Sequence, residues 1–176
     1  MNPYFYHSFD GMPVLMMAVN LLSMLLTALL FISRWFLFKK MGMPGWKGII
    51  PFYSDYVLFR TLWNVKAFWA YIIGMIVFIV LYTFSMVVWI TGVIYLSTTG
   101  MEPNAGILIL LFVFLGVIVV AFMVYEFIIV FKLYRRLAGA FGKSTGFAAG
   151  LTFLTPVFFP ILAFGKAQYR GAPPQQ

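Results

Sequence analysis

The stretch GMPGWKGIIPFYSDYVLFR (residues 42–60) decides the fold, because it separates two long apolar runs without being a polar loop or a membrane span. It begins with Gly42, Pro44 and Gly45, residue types that end a helix arriving from the preceding run. Aromatic rings and charged side chains then alternate, which is typical of the headgroup boundary of a bilayer. We therefore predict that residues 42–62 form an element on the cytoplasmic membrane surface, or one that enters the membrane partway.

The polar residues of this element suggest how it is oriented. Lys47, Ser54 and Thr61 recur every seven residues, which is the spacing of one polar stripe along a helix. Asp55 and Arg60 fall outside that stripe. We expect these two charges either to pair with each other at the interface or to lie solvated among the headgroups.

Composition places the whole chain in a membrane. The chain has 176 residues, of which 64% are hydrophobic and 9% charged, whereas soluble domains carry roughly 25% charged residues. The net charge of +8 could indicate nucleic-acid binding, but the basic residues flank the apolar runs, where orientation in a membrane requires them. Cysteine is absent, which excludes disulfides and thiolate metal sites. We predict membrane lipids as partners and no nucleic acid.

Four apolar runs are long enough to cross a bilayer, since a span needs about 20 residues. Lys39 and Lys40 follow the first run, and the loop between the second and third runs has no Lys or Arg, so the N-terminus is expected outside the cell. Residues 171–176 are expected to be a disordered tail. The predicted fold is an all-α integral membrane protein, with spans at about residues 13–38, 67–97, 104–131 and 147–165.

The fourth run allows two topologies. Pro156 and Pro160 interrupt it, because proline removes a backbone donor and kinks a helix. If the run crosses, Lys166 and Arg170 end on the outer side; if it dips in and returns, all twelve Lys and Arg residues lie on the inner side. The run is long enough to cross, so a short kinked fourth span is our prediction and a re-entrant segment is the alternative.

A glycine row precedes this run. Gly142, Gly146 and Gly150 recur every four residues, which on a helix would form a groove for a neighbouring helix. The same glycines could instead break a helix into a loop. Both interpretations stay open. The neighbouring GKST (residues 142–145) does not have the glycine spacing of a phosphate-binding loop.

Few polar residues lie within the predicted spans. Glu126 is the only acid there, and we expect it to pair with Arg34 or Arg60 at the inner interface, or with Lys132, rather than to carry ions or protons. Asn20 is expected to form an interhelical hydrogen bond, typically worth about 0.6–2 kcal/mol.

No catalytic, cofactor-binding or metal-binding residue is predicted. Two sets of other residues are candidates. The polar candidates are Glu126, Asn20, Asp55, Arg60 and Arg34. The motif and helix-packing candidates are Pro44, Gly45, Trp46, Pro51, Gly142, Gly146, Gly150, Pro156 and Pro160.

Two segments, GMPGWKGIIPFYSDY (residues 42–56) and AFGKSTGFAAGLTFLTPVFFPILAFGKAQYRG (residues 140–171), carry a resemblance. They resemble a family of small bacterial membrane proteins that contain a domain of unknown function. Ser54 stands where that family tends to have Asn, and Lys166 where it tends to have Asp. The resemblance implies a polytopic membrane protein in the bacterial inner membrane and carries over no catalytic residue.

Small loops and nearly charge-free spans predict a non-enzymatic membrane subunit, a scaffold or accessory protein that packs against itself or a membrane-protein partner. The alternative is a small oligomeric channel or transporter, since the proline-broken segments at Pro51 and Pro156 could line a water-filled path. A membrane enzyme ranks third, because no nucleophile–base pair or metal cluster is visible in the sequence.

Overall fold

The computed structural model describes residues 12–99 and 105–171, and every regular element in those two ranges is a helix. Three helices are long and apolar enough to cross a membrane, over Val14–Lys40, Val65–Tyr95 and Gly106–Ala140. The all-α membrane fold is thereby confirmed, and the chain is a multi-pass membrane protein. The elements are α1 (Met12–Lys40), a 3₁₀ helix (Gly45–Gly48), α2 (Tyr53–Leu62), α3 (Val65–Thr99), α4 (Ala105–Ala140), α5 (Thr145–Phe153) and α6 (Thr155–Phe164).

Some predictions concern residues outside this description. The expected outer position of residues 1–11, residues 100–104 of the expected outer turn and residues 172–176 of the expected disordered tail lie outside the described residues. In the described part of the chain, helix α4 continues to Ala140, nine residues past residue 131, where the predicted third span ends. Lys and Arg side chains avoid the hydrocarbon core, but both residues are good helix formers. The first charged residues therefore mark the membrane boundary and not the end of the helix.

Two helices end in the same way. At the end of α1 the Met43 N–H donates to the Phe38 carbonyl, and Gly42 has a φ of 75°. At the end of α4 the Lys143 N–H donates to the Ala138 carbonyl, and Gly142 has a φ of 68°. Both turns are Schellman motifs, which need a left-handed residue that glycine supplies without strain.

The Schellman motif at the end of α4 overturns the helix-groove interpretation of the glycine row. Gly142 ends α4, and only Gly146 and Gly150 lie on α5. Gly150 contacts the Phe158 ring, within the same chain segment, while the space around Gly146 is open. The three glycines therefore do not form one continuous groove.

We call the end of the bundle where α1 reaches Lys40 and α4 reaches Ala140 the basic end. Helices α5 and α6 form a hairpin whose two ends both lie there. Helix α5 begins five residues after Ala140, and after α6 the Arg170 N–H returns to donate to the Ala140 carbonyl at 2.7 Å. The fourth segment is therefore re-entrant, and the prediction of a kinked fourth span is wrong.

The hairpin turns at Leu154 for a local reason. Pro156 lies at the start of α6 and has no N–H to donate back to α5, so α5 cannot continue. Pro160 lies inside α6 without ending it. The Phe153 ring contacts Phe127 at 5.2 Å, thirteen residues before the end of α4, which places the turn about 20 Å from the basic end. The hairpin thus reaches only partway through a hydrocarbon core of about 30 Å.

Lys40 holds the returning end of the hairpin. Its Nζ donates to the carbonyls of Leu162, Gly165 and Ala167 at 3.1, 2.5 and 3.3 Å. The Leu162 carbonyl lies in the last turn of α6 and the other two follow it, where no intrahelical donor is available and a cation is favoured. Beyond them, the Tyr169 ring packs on Phe141, and burial raises the pKa of the Tyr169 hydroxyl above its usual value.

The re-entrant hairpin also answers the charge question that the sequence posed. With both ends of the hairpin at the basic end, Lys166 and Arg170 join the other ten Lys and Arg residues there. All twelve cations of the chain therefore lie at one end of the bundle.

The interfacial element has two parts, and the predicted polar stripe is wrong. The 3₁₀ helix and α2 are separated by a bend at Phe52, so Lys47 and Ser54 do not share one helix. Ser54 is fully buried, and α2 packs its apolar side against α3, where Phe59 contacts the Tyr71 ring at 5.5 Å. The Trp46 ring stacks on Tyr53 at 6.0 Å, which suits the predicted interfacial position.

Glycine allows the 3₁₀ helix to lie directly on α1. A Cβ on Gly48 would come within 2.6 Å of the Arg34 carbonyl oxygen, and one on Gly45 within 2.6 Å of the Trp35 ring. The PGW motif therefore serves backbone contact with the first helix. Packing of the described residues is concentrated near the basic end, whereas every side chain from residue 14 to residue 29 of α1 is exposed.

We predict that Lys40→Met loosens the hairpin end. Three carbonyls lose a charged donor, each such bond being worth about 1.5–3 kcal/mol, so amide exchange of residues 161–170 in mild detergent should quicken by roughly tenfold or more. Lys39→Met is the matched control, since Lys39 is exposed and its Nζ lies over the Trp35 ring, 5.5 Å from the centroid. Equal exchange in the two variants would contradict the role of Lys40.

We also predict that Cys residues placed at Lys39 and Lys166 react from the same side of the membrane. Both side chains are exposed at the basic end, and the chain has no native Cys to interfere. The measurement is labelling by a membrane-impermeant maleimide in sealed vesicles of known orientation. Labelling of the two positions from opposite sides would show that the hairpin crosses.

Candidate functional site

Arg34 lies on α1, six residues or about 9 Å from the basic end. Its Nη1 donates to the Ser54 Oγ at 2.7 Å and to Asp55 Oδ1 at 3.3 Å. The Arg34 and Asp55 side chains are 23% and 25% exposed, and Ser54 is fully buried. This geometry is a partly buried ion pair that anchors the start of α2 on α1.

Two aromatic side chains also lie against the guanidinium. Its Cζ lies 5.7 Å from the centroid of the Phe159 ring of α6, a cation–π distance. The Tyr134 hydroxyl of α4 lies beside the guanidinium, and the Tyr134 ring meets Phe159 edge-on at 5.5 Å. Arg34 thus contacts side chains from three other helices.

The expected pairing of Asp55 with Arg60 is wrong, because the partner of Asp55 is Arg34, while Arg60 is exposed. Arg34 and Asp55 are 21 residues apart, too far for a helical spacing rule to link them. One signal was available: Arg34 lies inside the predicted first span, and a cation at that depth requires a partner. Ser54 was missed as a hydrogen-bond partner of Arg34, because no spacing rule links residues 20 positions apart.

A strained turn precedes Asp55. Phe52 has φ 61° and ψ −43°, and the Tyr53 N–H donates to the Pro51 carbonyl at 2.6 Å. This is close to the rare γ-turn conformation, which non-glycine residues adopt at a cost. The turn starts α2 so that Asp55 lies in its first turn, where the helix dipole favours a negative charge.

A groove of about 330 Å³ opens beside the ion pair, between α1, the Phe52 turn and the start of α6. Its polar lining consists of the ion pair and two threonines: the Thr27 hydroxyl donates to the Ser23 carbonyl of α1, and the Thr155 hydroxyl donates to the Leu151 carbonyl of α5. We call it the Arg34 groove; its lining residues are Thr27, Leu30, Phe31, Arg34, Ile49, Pro51, Phe52, Asp55 and Thr155.

Glu126 lies apart from this site, between α4 and α3. Both carboxylate oxygens are buried, and neither has a hydrogen-bond partner among the residues that the structure describes. The carboxylate points to Gly74 of α3, where a Cβ would overlap Oε1. The expected ion pair is therefore not found in the described part of the chain, because Arg34 is held by Ser54 and Asp55 and Lys132 is exposed.

Asn20 is also placed differently from the expectation. Its Nδ2 donates to the Met16 carbonyl of its own helix at 2.9 Å, and it is exposed. Ser23 and Thr27 likewise donate to carbonyls of α1. Within residues 12–99 and 105–171, no group of three His, Asp or Glu side chains could hold a metal ion.

We predict that Arg34→Met destabilises the fold, whereas Arg60→Met does not. The first change leaves Ser54 buried without its partner and Asp55 without its countercharge, and should lower the free energy of unfolding by about 1.5–3 kcal/mol. The second removes an exposed charge and should stay within about 0.5 kcal/mol. Unfolding by titration of SDS into mild-detergent micelles measures both. The same loss in both variants would show that Arg34 is not an anchor.

Comparisons with protein-family models, with curated proteins and with solved structures find no match to this chain. The arrangement of Arg34, Asp55 and the exposed face of α1 must therefore carry any proposal about function.

Proposed function

We propose that this chain is a non-enzymatic membrane subunit that assembles, with a second copy or with another membrane protein, through the outer half of α1. The observation that carries the proposal is the exposure of every side chain from residue 14 to residue 29. Residues 14–26, which lie beyond the turn of the hairpin, extend over roughly 18 Å and present their surface to lipid or to a partner.

Polar groups on this half of α1 favour a partner. Asn20, Ser23 and Thr27 are spaced by three and four residues, so they lie on one face of the helix. The two hydroxyls are satisfied by their own helix. The side-chain Oδ1 of Asn20 accepts no hydrogen bond from any described residue, and such a group is costly in lipid. A hydrogen bond from a partner helix would remove this cost.

The membrane orientation follows from the charges. The positive-inside rule puts the end that collects Lys and Arg in the cytoplasm, so the basic end and the hairpin are proposed to face the cytoplasm and the start of α1 the outside. In a bacterium this corresponds to the inner membrane.

The channel alternative receives less support from the described residues. A re-entrant hairpin can line a pore only if its turn is polar or exposes backbone to water. Here Phe153 and Leu154, at the turn, are 71% and 55% exposed and apolar. They suit contact with lipid or with a partner helix.

The test is cross-linking within the membrane. Ser23→Cys lies on the polar face, whereas Leu25→Cys, two residues away, lies at similar depth on the opposite face. For self-assembly we expect oxidant to convert Ser23→Cys, but not Leu25→Cys, into a covalent dimer. For assembly with another protein, Asn20→Leu should reduce the mass of the complex in mild detergent while Met17→Leu does not.

Three results together would rule out such an assembly. A chain that is monomeric in native membranes, forms no disulfide at either position and keeps the same mass after Asn20→Leu would contradict it. The Glu126→Gln variant tests the channel alternative. An ion flux in proteoliposomes that this change abolishes would favour a channel over a non-enzymatic subunit.

A further inference from the structure

The Arg34 groove combines an adjacent positive and negative charge with apolar walls, at the depth of the lipid headgroups. Helix α1 has 29 residues and is about 43 Å long, close to the 40–45 Å of a bilayer with its headgroups. Arg34, about 9 Å from the basic end, therefore lies near the boundary between headgroups and hydrocarbon. A guanidinium at this depth can reach the phosphate layer, as Arg side chains do at membrane surfaces.

The guanidinium has donors to spare. Nη1 serves both Ser54 and Asp55 and Tyr134 also faces the guanidinium, but the side chain is 23% exposed, so part of the planar fork is left for a phosphate oxygen. Arginine binds phosphate preferentially because the fork can present two parallel donors. Arg34 therefore supplies one half of a headgroup site.

Asp55 supplies the other half. Only Oδ1 accepts from Arg34, and the 3.3 Å separation is long for a charge-assisted bond. The second carboxylate oxygen accepts no hydrogen bond from the described residues and can receive one from an ammonium group. A phosphate and a primary ammonium two carbons apart match the guanidinium and the carboxylate in sign and in order.

The walls of the groove continue toward the membrane interior. Leu30, Phe31 and Ile49 line it, and Phe52, at its mouth, is 57% exposed. The lining extends from Arg34 to Thr27, seven residues or about 10 Å further into the membrane. An acyl chain attached to a headgroup at Arg34 would follow this direction.

We propose that the Arg34 groove binds one ethanolamine phospholipid, with its phosphate on Arg34, its ammonium on Asp55 and one acyl chain along α1 toward Thr27. An anionic lipid without an amine would leave Asp55 facing negative charge. A choline lipid carries no N–H to donate to Asp55. The inference does not require the proposed assembly through the outer half of α1, although the two surfaces share Thr27.

The experiment measures binding of three phospholipids with identical acyl chains, carrying ethanolamine, choline or glycerol headgroups, to the purified full chain by native mass spectrometry. We expect the ethanolamine lipid to bind roughly tenfold or more tightly than the other two, the factor that one charged hydrogen bond supplies. Asp55→Asn should reduce that ratio to near one. Arg60→Met is the matched control and should keep it.

A second variant keeps the test decisive if Asp55→Asn fails to fold. Ile49 is exposed, so Ile49→Trp fills the groove without touching the ion pair and should lower ethanolamine-lipid binding by roughly tenfold. Equal binding of the three lipids, a preference for the glycerol headgroup, or a preference that Asp55→Asn and Ile49→Trp both leave unchanged would overturn the proposal. If Ile49→Trp instead changes the oligomeric state alone, a second copy occupies the groove and the lipid proposal is wrong.

Discussion

The packed half of this protein depends on one guanidinium. Arg34 lies about 9 Å inside the basic end of an apolar spanning helix, where its partly buried guanidinium needs hydrogen-bond partners. Its partners come from three other helices: Ser54 and Asp55 from α2, Phe159 from α6 and Tyr134 from α4. For these side chains to contact the Arg34 guanidinium, the interfacial element must pack against α1 and the hairpin must lie beside it. The architecture of the basic end follows from this requirement.

The length of the hairpin determines how much of α1 is covered. Lys40 fixes its returning end through three carbonyls, and the hairpin turns about 20 Å from the basic end. Above that level the hairpin can no longer cover α1, while α3 and α4 still contact each other, as the Trp89 and Phe112 rings do at 6.4 Å. The half of the molecule at the basic end is therefore packed, whereas in the other half the side chains of α1 are exposed.

The two proposed surfaces meet on α1. Asn20, Ser23 and Thr27 follow one face of the helix, and Arg34 lies further along the same face. Thr27 belongs to both, since it ends the polar stripe and lines the Arg34 groove. A lipid at Arg34 and a partner helix at Asn20 would occupy successive levels of one continuous surface, so each would be positioned by the same helix.

Sequence alone determined the solvent and the coarse architecture: the three longest apolar runs predicted the spanning helices, and Gly42 marked the break after the first of them, whereas Gly142 allowed two interpretations. Three-dimensional packing decided everything that depends on residues distant in sequence. The pairing of Asp55 with Arg34 rather than Arg60, the burial of Ser54 and the return of the hairpin to Ala140 have no periodic signal. Charge counts left the topology of the last segment ambiguous, because a run of that length can either cross the membrane or return. The contacts of Lys40 and Arg170 with backbone carbonyls decide for the return. These contacts form because backbone carbonyls at a helix end require donors.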